Sequence, residues 1–337
     1  MLEKVELVDK KNNGQGKNWR WPKEGLTRIP DWVYTSDEIF ERERERIFFG
    51  PTWNFVALEA EIPNPGSYKR SYVGDVPVIV SRTAENAIHV FENRCAHRGL
   101  EFCRVLRGEA KEFICPYHHW TYNMAGKLVS VPFRRGDKGK GGMPDHFEMS
   151  EHNPRQLKVA TRHGVVFATF GEKIESLENY LGPENLEHFD VVFANRKLRI
   201  LGFYRNRLKG NWKLYHENLK DPYHATLLHV YLATFRMMVA GQKSAMIVDA
   251  TGRHTTAASA KDDDIKINKE MVEEMKGAFR VGMDLNDPDF TRYVPEFDSP
   301  WTVTMQTIWP NLIVQRELNT LGIRHIVPRG PHELDMY

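Results

Sequence analysis

Four residues offer the most chemistry in this 337-residue chain: Cys95 and His97 in one short segment, Cys115 and His118 in another, with 17 residues between His97 and Cys115. Each segment supplies one thiolate and one imidazole. A Rieske [2Fe–2S] cluster needs that mixture, because two Cys hold one iron and two His hold the other. A zinc finger more often pairs Cys with Cys and His with His. Chance is the weaker account of four ligands in the order C-x-H…C-x2-H. Imidazole in place of thiolate removes negative charge and raises the reduction potential. The pattern therefore predicts a centre that accepts and passes on single electrons. Cys103 lies outside the spacing and is read as a buried thiol; His119 is read as the neighbour of a ligand.

A second constellation lies in residues 211–229, NWKLYHENLKDPYHATLLH, which contains Asp221-x2-His224-x4-His229. On an ideal helix, positions i and i+5 fall about 140° apart. His224 and His229 thus meet at one ion only if the helix is broken, and Pro222 supplies a break. Two neutral His with a carboxylate form the facial triad of non-haem Fe(II), which leaves positions open for dioxygen. Alone the pattern is modest, since such His pairs are often structural. Beside a one-electron centre it is read as an iron site.

Local patterns predict the elements that carry these groups. Residues 76–82 and 87–91 read as strands around a turn at 83–86, and 112–114 with 120–122 as a second pair, so both ligand loops sit at the tips of β-structure. Thr35 and Glu38 form a capping box that opens a helix through Phe48. The alternating charges at 41–46 read as its solvated face. Strands continue to 165–170, with turns at 64–66, 74–75 and 125–126. Residues 134–142 read as a mobile surface loop; Gly136-x4-Gly141 is followed by Gly142, which fails the P-loop pattern. A polar stretch at 171–179 marks a boundary. The expected domains are an arm and helix at 1–50, a cluster domain at 51–170 and a second domain at 171–337.

Composition narrows the class. Hydrophobic residues at 41% and charged residues at 27% suit a globular chain with real cores. A net charge of +2 gives no reason to expect nucleic acid or an anionic membrane as partner. Three Cys, two of them assigned to the cluster, leave no disulfide framework, so a cytoplasmic location is expected. No stretch reaches the roughly 18 apolar residues of a membrane span, and residues 1–11 lack the apolar core of a signal peptide. No G-x-G-x-x-G fingerprint follows a strand, so electrons from NAD(P)H are expected through a separate reductase.

The order C-x-H-x17-C-x2-H, then N-W-K…E-N…D-x-Y-H…L-H, resembles the α subunit of Rieske non-haem iron aromatic-ring-hydroxylating oxygenases. The resemblance runs from residues 59–63 through 93–100 to 211–229. Segments 95–99, 131–135 and 211–229 are nearest to the branch acting on aromatic carboxylates such as salicylate, anthranilate and terephthalate. It implies an α+β chain: an N-terminal all-β Rieske domain, then a catalytic domain with an antiparallel sheet and flanking helices, helix-grip-like. It implies His224 and His229 as iron ligands and Asn218 beside the iron. Asp221 would link the iron to a cluster His of the neighbouring subunit. It further implies dioxygen as cosubstrate, a reductase with or without a ferredoxin, a homotrimeric ring and a small β subunit in some assemblies. The activity implied is mono- or dihydroxylation of an aromatic ring in aromatic catabolism. In the family a third, carboxylate ligand lies well over a hundred residues beyond the second His. This sequence runs 108 residues past His229 (337 − 229), so the expectation is a truncated catalytic domain whose third ligand lies beyond Tyr337. Asp335 is the one late candidate, and a poor one.

For the substrate, period two places Leu312, Val314, Arg316 and Leu318 on one strand face. A guanidinium there is costly to bury unless it meets an anion. Arg324, beside Ile323 and Ile326, is a second candidate. Either could pair with Glu317 or Asp335, or clamp a substrate carboxylate through two parallel hydrogen bonds. Two other functions compete. A Rieske monooxygenase or O-demethylase would use the same metals; a Rieske electron carrier would have no use for Asp221, His224 and His229 together.

Overall fold

The computed structural model describes residues 19–235, 237, 241–261, 268–274, 277–287, 289 and 292–337. Among them are two seven-stranded antiparallel sheets and a three-stranded one. The first sheet contains β1 (Asn54–Leu58), β2 (Ser67–Val73), β3 (Val76–Arg82), β4 (Ile88–Glu92), β5 (Arg107–Glu109), β9 (Gln156–Arg162) and β10 (Val165–Thr169), in the order β1-β10-β9-β4-β3-β2-β5. The small sheet is β6 (Glu112–Ile114), β7 (Thr121–Asn123) and β8 (Leu128–Ser130). The second large sheet contains β11 (Asn206–Lys209), β12 (Ser244–Val248), β13 (Thr255–Ser259), β14 (Val303–Ile308), β15 (Leu312–Glu317), β16 (Thr320–Pro328) and β17 (Glu333–Met336), ordered β11-β17-β16-β15-β14-β13-β12. The expected strand pairs around the cluster loops and around 83–86 form within a residue of their predicted bounds. Between β15 and β16 the chain reverses at Leu318, in a left-handed conformation, and Gly322 lies inside β16.

β1 and β10 are buried along their whole length because they have a core on each face. Val56, Val166 and Ala168 face the core of the first sheet. Phe55, Val165 and Phe167 face α3 (Leu177–Leu181), α4 (Pro183–Phe193) and Leu312 and Val314 of β15. One hydrophobic cluster therefore crosses the 171–179 boundary. Asn311 reinforces the joint: its Oδ1 accepts from Phe55 N at 2.8 Å and its Nδ2 donates to Phe55 O at 3.0 Å.

The N-terminal helix corrects its predicted cap. Ser36, not Thr35, accepts from Ile39 N at the start of α2 (Asp37–Glu43), while the Thr35 hydroxyl donates back to Asp31 O within α1 (Trp32–Thr35). The helix continues to Phe48 as one wide turn over residues 44–48. Its charges pair along the partly solvated face, Arg42 with Glu38 at 2.8 Å and Arg44 with Asp75 at 2.9 Å, contacts that contribute little stability. The opposite side reaches α5 (Trp212–Asn218): Glu43 accepts from Trp212 Nε1 at 2.9 Å and stands 2.7 Å from Lys213 Nζ. No described helix is long and apolar enough to cross a membrane.

Strand pairing fixes what each face of the second sheet presents. Ile308, Leu312, Val314 and Arg316 point toward α4. Ile313, paired with Arg324, points toward Trp212 and Tyr215 of α5. Around these packed layers lie three buried histidines: His216, His254 and His325. His254 donates from Nε2 to Tyr180 O and accepts Trp309 N–H at Nδ1, which fixes it as neutral. Burial pushes His216 and His254 down to about 4 and His325 to about 3. A folded-state pKa below the unfolded value means the unfolded chain takes up the proton first as pH falls. Stability is thus full above about pH 6.5 and falls between there and pH 4, by on the order of 3 kcal/mol for a single histidine. Thermal melts from pH 7.5 to 4.5 should show the decline, and His254→Gln should flatten it. An unchanged slope in that variant would remove His254 from the account.

Candidate functional site

The two cluster loops share one backbone design. Cys95 N donates to Leu100 O and Gly99 N to Cys95 O; Cys115 N donates to Trp120 O and His119 N to Cys115 O, all at 2.8–2.9 Å. The fifth residue of each loop is left-handed, Gly99 at φ +75° and His119 at φ +56°. These matched turns bring the His97 and His118 rings to 4.6 Å. Cys95 and Cys115 are 3% and 1% exposed and neither forms a disulfide. His97 stacks on Trp120 at 4.8 Å, and its buried Nδ1 has no partner. Tyr122, buried beneath the loops, accepts from Ala96 N at 3.0 Å, which leaves its hydroxyl proton for Cys95 Sγ at 3.2 Å. Two unbridged thiols and an orphaned imidazole nitrogen fit the donor set of a two-iron cluster. Burial raises the Cys115 thiol; burial, then His118 and Arg98, lower the His97 imidazole. Bound iron reverses the thiol's preference, because it takes the thiolate.

Cys103 is buried as expected, and His119 is exposed. His119 occupies a backbone position that its counterpart loop gives to glycine. A side chain there costs about 1–2 kcal/mol, partly offset by the entropy a glycine loses on folding. His119→Gly should therefore stabilise the chain by about 0.5–1 kcal/mol in urea titration. A destabilised variant would mean that the His119 side chain makes a favourable contact.

The predicted helix break is real and double. α5 ends at Asn218, residues 219–223 turn through Pro222, and α6 (Ala225–Leu228) begins at His224. A second break falls at His229 itself, at φ −83° and ψ +76°, before α7 (Val230–Thr234). Together they bring His224 Nε2 and His229 Nε2 to 3.2 Å, with Asn218 Nδ2 also 3.2 Å from His224. Two imidazole nitrogens facing each other so closely suit a shared cation. Asp221 stands behind this pair. Its Oδ2 lies 3.3 Å from His224 Nδ1, short of the alignment of a formed hydrogen bond, while Oδ1 accepts from Tyr223 N at 2.8 Å. Among the described residues, no three of His, Cys, Asp and Glu converge on a single-ion position. Asp335 is committed elsewhere: it is fully buried and accepts from Arg205 at 2.7 Å, Arg207 at 2.9 Å and Arg329 at 2.8 Å. Burial alone would raise this carboxyl, but the three guanidiniums hold it well below the usual range.

The two arginines separate. Arg316, 1% exposed, faces α4; it donates to Ser299 Oγ at 3.1 Å and Trp301 O at 2.5 Å and lies over the Phe297 ring at 5.0 Å. Its Nε and second terminal nitrogen have no partner. The alternative pairings with Glu317 and Asp335 do not form, since Glu317 accepts from Gln315 instead. Arg324 faces α5, where it donates to Tyr215 Oη at 2.7 Å and bonds Gln315 Oε1, and its Nε is free of partners. Tyr122, Tyr215 and Gln315 escaped the sequence reading. An aromatic beside a ligand loop was the only signal available for Tyr122, and none existed for the other two.

Comparison with known proteins gives the family. A model of the Rieske [2Fe-2S] domain matches residues 52–139, and one of the ring hydroxylating alpha subunit (catalytic domain) matches residues 190–336. The large oxygenase component of salicylate 5-hydroxylase from Ralstonia sp. is 47% identical over 324 residues, covering 94% of this chain and 75% of the relative. The large subunit of anthranilate 1,2-dioxygenase from Burkholderia cepacia is 42% identical, covering 94% of this chain and 74% of its own length. Naphthalene 1,2-dioxygenase from Rhodococcus sp., solved with indole bound, superposes with a TM-score of 0.70 at 25% identity, covering 91% of this chain and 71% of that one. The expected all-β Rieske domain and helix-flanked antiparallel catalytic sheet are both present. The chain belongs to the α subunits of the Rieske aromatic-ring-hydroxylating oxygenases, enzymes that carry a [2Fe–2S] cluster and a mononuclear iron.

Proposed function

We propose that this chain is the catalytic large component of an oxygenase that hydroxylates an aromatic carboxylate, using NAD(P)H electrons delivered by a separate reductase. The observation that carries the substrate class is Arg324 on the α5 face of the sheet, three residue positions of α5 from the iron-side Asn218 through its Tyr215 contact. In this reading Cys95, His97, Cys115 and His118 hold the cluster, and His224 and His229 hold the iron with Asn218 beside it. When bound, the two centres supply single electrons and a site where dioxygen is activated.

The remaining roles belong to the chain's own side chains. Arg324 offers a guanidinium already oriented by Tyr215 and Gln315, so a substrate carboxylate is fixed with little further ordering. Gly322, Met305 and Ala257 continue that face, half-buried, as a floor for the ring. Asp221 orients His224 through Nδ1. Asp221 is half-exposed, and Tyr223, Leu228 and Tyr231 of the same segment are exposed apolar groups. A neighbouring copy in a ring of three would cover them and bring its cluster His to Asp221, and a small β subunit would join that ring without altering it.

Arg324→Leu should raise KM for salicylate or benzoate about 10- to 100-fold, the worth of a charged hydrogen-bonded pair, and barely change it for an uncharged arene. Arg316→Leu should leave that preference alone. If Arg324→Leu retains the preference for carboxylates, the substrate class is wrong although the oxygenase assignment stands. The relatives include a 5-hydroxylase and a 1,2-dioxygenase, so labelled dioxygen decides the outcome: two labelled atoms in the product mark a dioxygenase, one a monooxygenase.

A further inference from the structure

The hydroxylation chemistry leaves one built feature unused, the hairpin over residues 133–143. It lies at the surface, as expected, and is internally bonded. Gly136 N donates to Phe133 O at 2.8 Å, Met143 N to Arg134 O at 2.9 Å, and Asp137 and Lys140 exchange both backbone bonds at 3.0 Å. Gly136 makes the close approach possible, since a Cβ there would lie 2.3 Å from Lys140 O. The tip exposes Arg134, Arg135, Lys138 and Lys140 around a single acid, Asp137. Phe133 is 76% exposed and sits at φ +55°, a conformation aromatic residues rarely adopt. Such strain persists where surrounding structure imposes it, and it concentrates at functional surfaces.

From this tip a packed aromatic route runs to the cluster loops. The Arg134 guanidinium lies 6.0 Å from the Phe147 ring centre and donates to Phe147 O at 3.4 Å. Phe147 meets Trp120 edge-on at 5.8 Å, and Trp120 stacks on His97 at 4.8 Å. These centroid separations are those of rings in contact. Beside the hairpin lies a cleft of about 440 Å³ lined by Lys127, Arg134, Glu148 and Met149.

The geometry points to this hairpin as the docking surface for an acidic one-electron carrier protein, with Phe133 as its apolar anchor and the basic tip as its steering charge. The inference rests on the proposed reading that electrons come from a separate protein. One electron leaves the carrier's reduced [2Fe–2S] cluster, and one iron of this chain's cluster passes from ferric to ferrous. No bond forms or breaks and no proton is required. Complementary charge accelerates such encounters 10- to 1,000-fold at low ionic strength, and the effect fades as salt screens it.

The test uses the cluster-loaded chain and an acidic plant-type [2Fe–2S] ferredoxin as probe. The variant R135E/K138E/K140E spares Arg134 and its Phe147 contact; Phe133→Ser is made separately. Affinity for the oxidised ferredoxin is measured by calorimetry. The rate of cluster reduction by the reduced ferredoxin is followed by stopped flow, with photoreduced deazariboflavin as a small uncharged donor. Charge reversal should weaken binding and slow ferredoxin-driven reduction at least about tenfold at low salt, with the difference vanishing at high salt. Reduction by deazariboflavin and the cluster's EPR spectrum should not change, and Phe133→Ser should weaken binding at every salt concentration. Equal ferredoxin rates, or an equal loss with deazariboflavin, would overturn the docking assignment. So would a change in oligomeric mass in the charge-reversed variant, which would make the hairpin a contact between copies of this chain. A parent protein that takes electrons straight from NADH, with no carrier present, would instead sink the reading of a separate donor.

Discussion

Alanine at His224 or His229 should remove the mononuclear iron and reduce hydroxylation at least about 100-fold, while the cluster's absorption and EPR spectra persist. The structure gives the reason for so large an effect. The two Nε2 atoms, 3.2 Å apart, are the principal donors at that point, and Asn218 adds only a weaker amide group. Losing either leaves a single imidazole among the described residues, too little to hold a divalent ion firmly against water. Both residues lie in short exposed helical turns outside the large hydrophobic clusters, so the fold should survive. Metal analysis of the variants, beside circular dichroism, checks this. A variant that keeps its full iron content would mean that the ion binds elsewhere.

The second large effect is expected from Asp221→Asn. The amide keeps the size of the side chain, and its Oδ1 can still accept from Tyr223 N, as the aspartate does at 2.8 Å. What it loses is the negative charge 3.3 Å from His224 Nδ1. Both metal signals should remain, while turnover falls about 10- to 100-fold or more, the usual cost of removing a carboxylate that orients a metal-bound imidazole. Rapid-freeze EPR of the reduced enzyme should show the cluster failing to reoxidise when dioxygen and substrate are added. Normal turnover would reduce Asp221 to a local turn former around Pro222.

Arg316 and Arg324 show how far a pattern along one strand can be read. Alternation placed Arg316 on an apolar face correctly, because side-chain direction along a strand is a local property with period two. Which face meets α5 is set by strand register and by the layer packed on each side, and neither is written in the seven residues that separate them. Asp335 makes the same point from the opposite direction. Arg329 lies six positions before it, but Arg205 and Arg207 come from β11 and the residue before it, about 130 positions earlier in the chain. No window around Asp335 could show those two partners.

The sequence by itself determined the donor types, their spacing within each loop and the strands beneath them, because ligand loops and hairpins are closed by contacts between near neighbours. It also determined the first break in the iron-side helix, since Pro222 removes a backbone donor wherever it stands. Only the tertiary structure decided the second break, at His229, where the flanking residues are all compatible with helix and nothing local forbids its continuation. It likewise decided that one hydrophobic cluster joins both domains and that Arg324 stands on the side of α5. Each of these depends on groups brought together from distant parts of the chain, and their energies appear only once that packing exists.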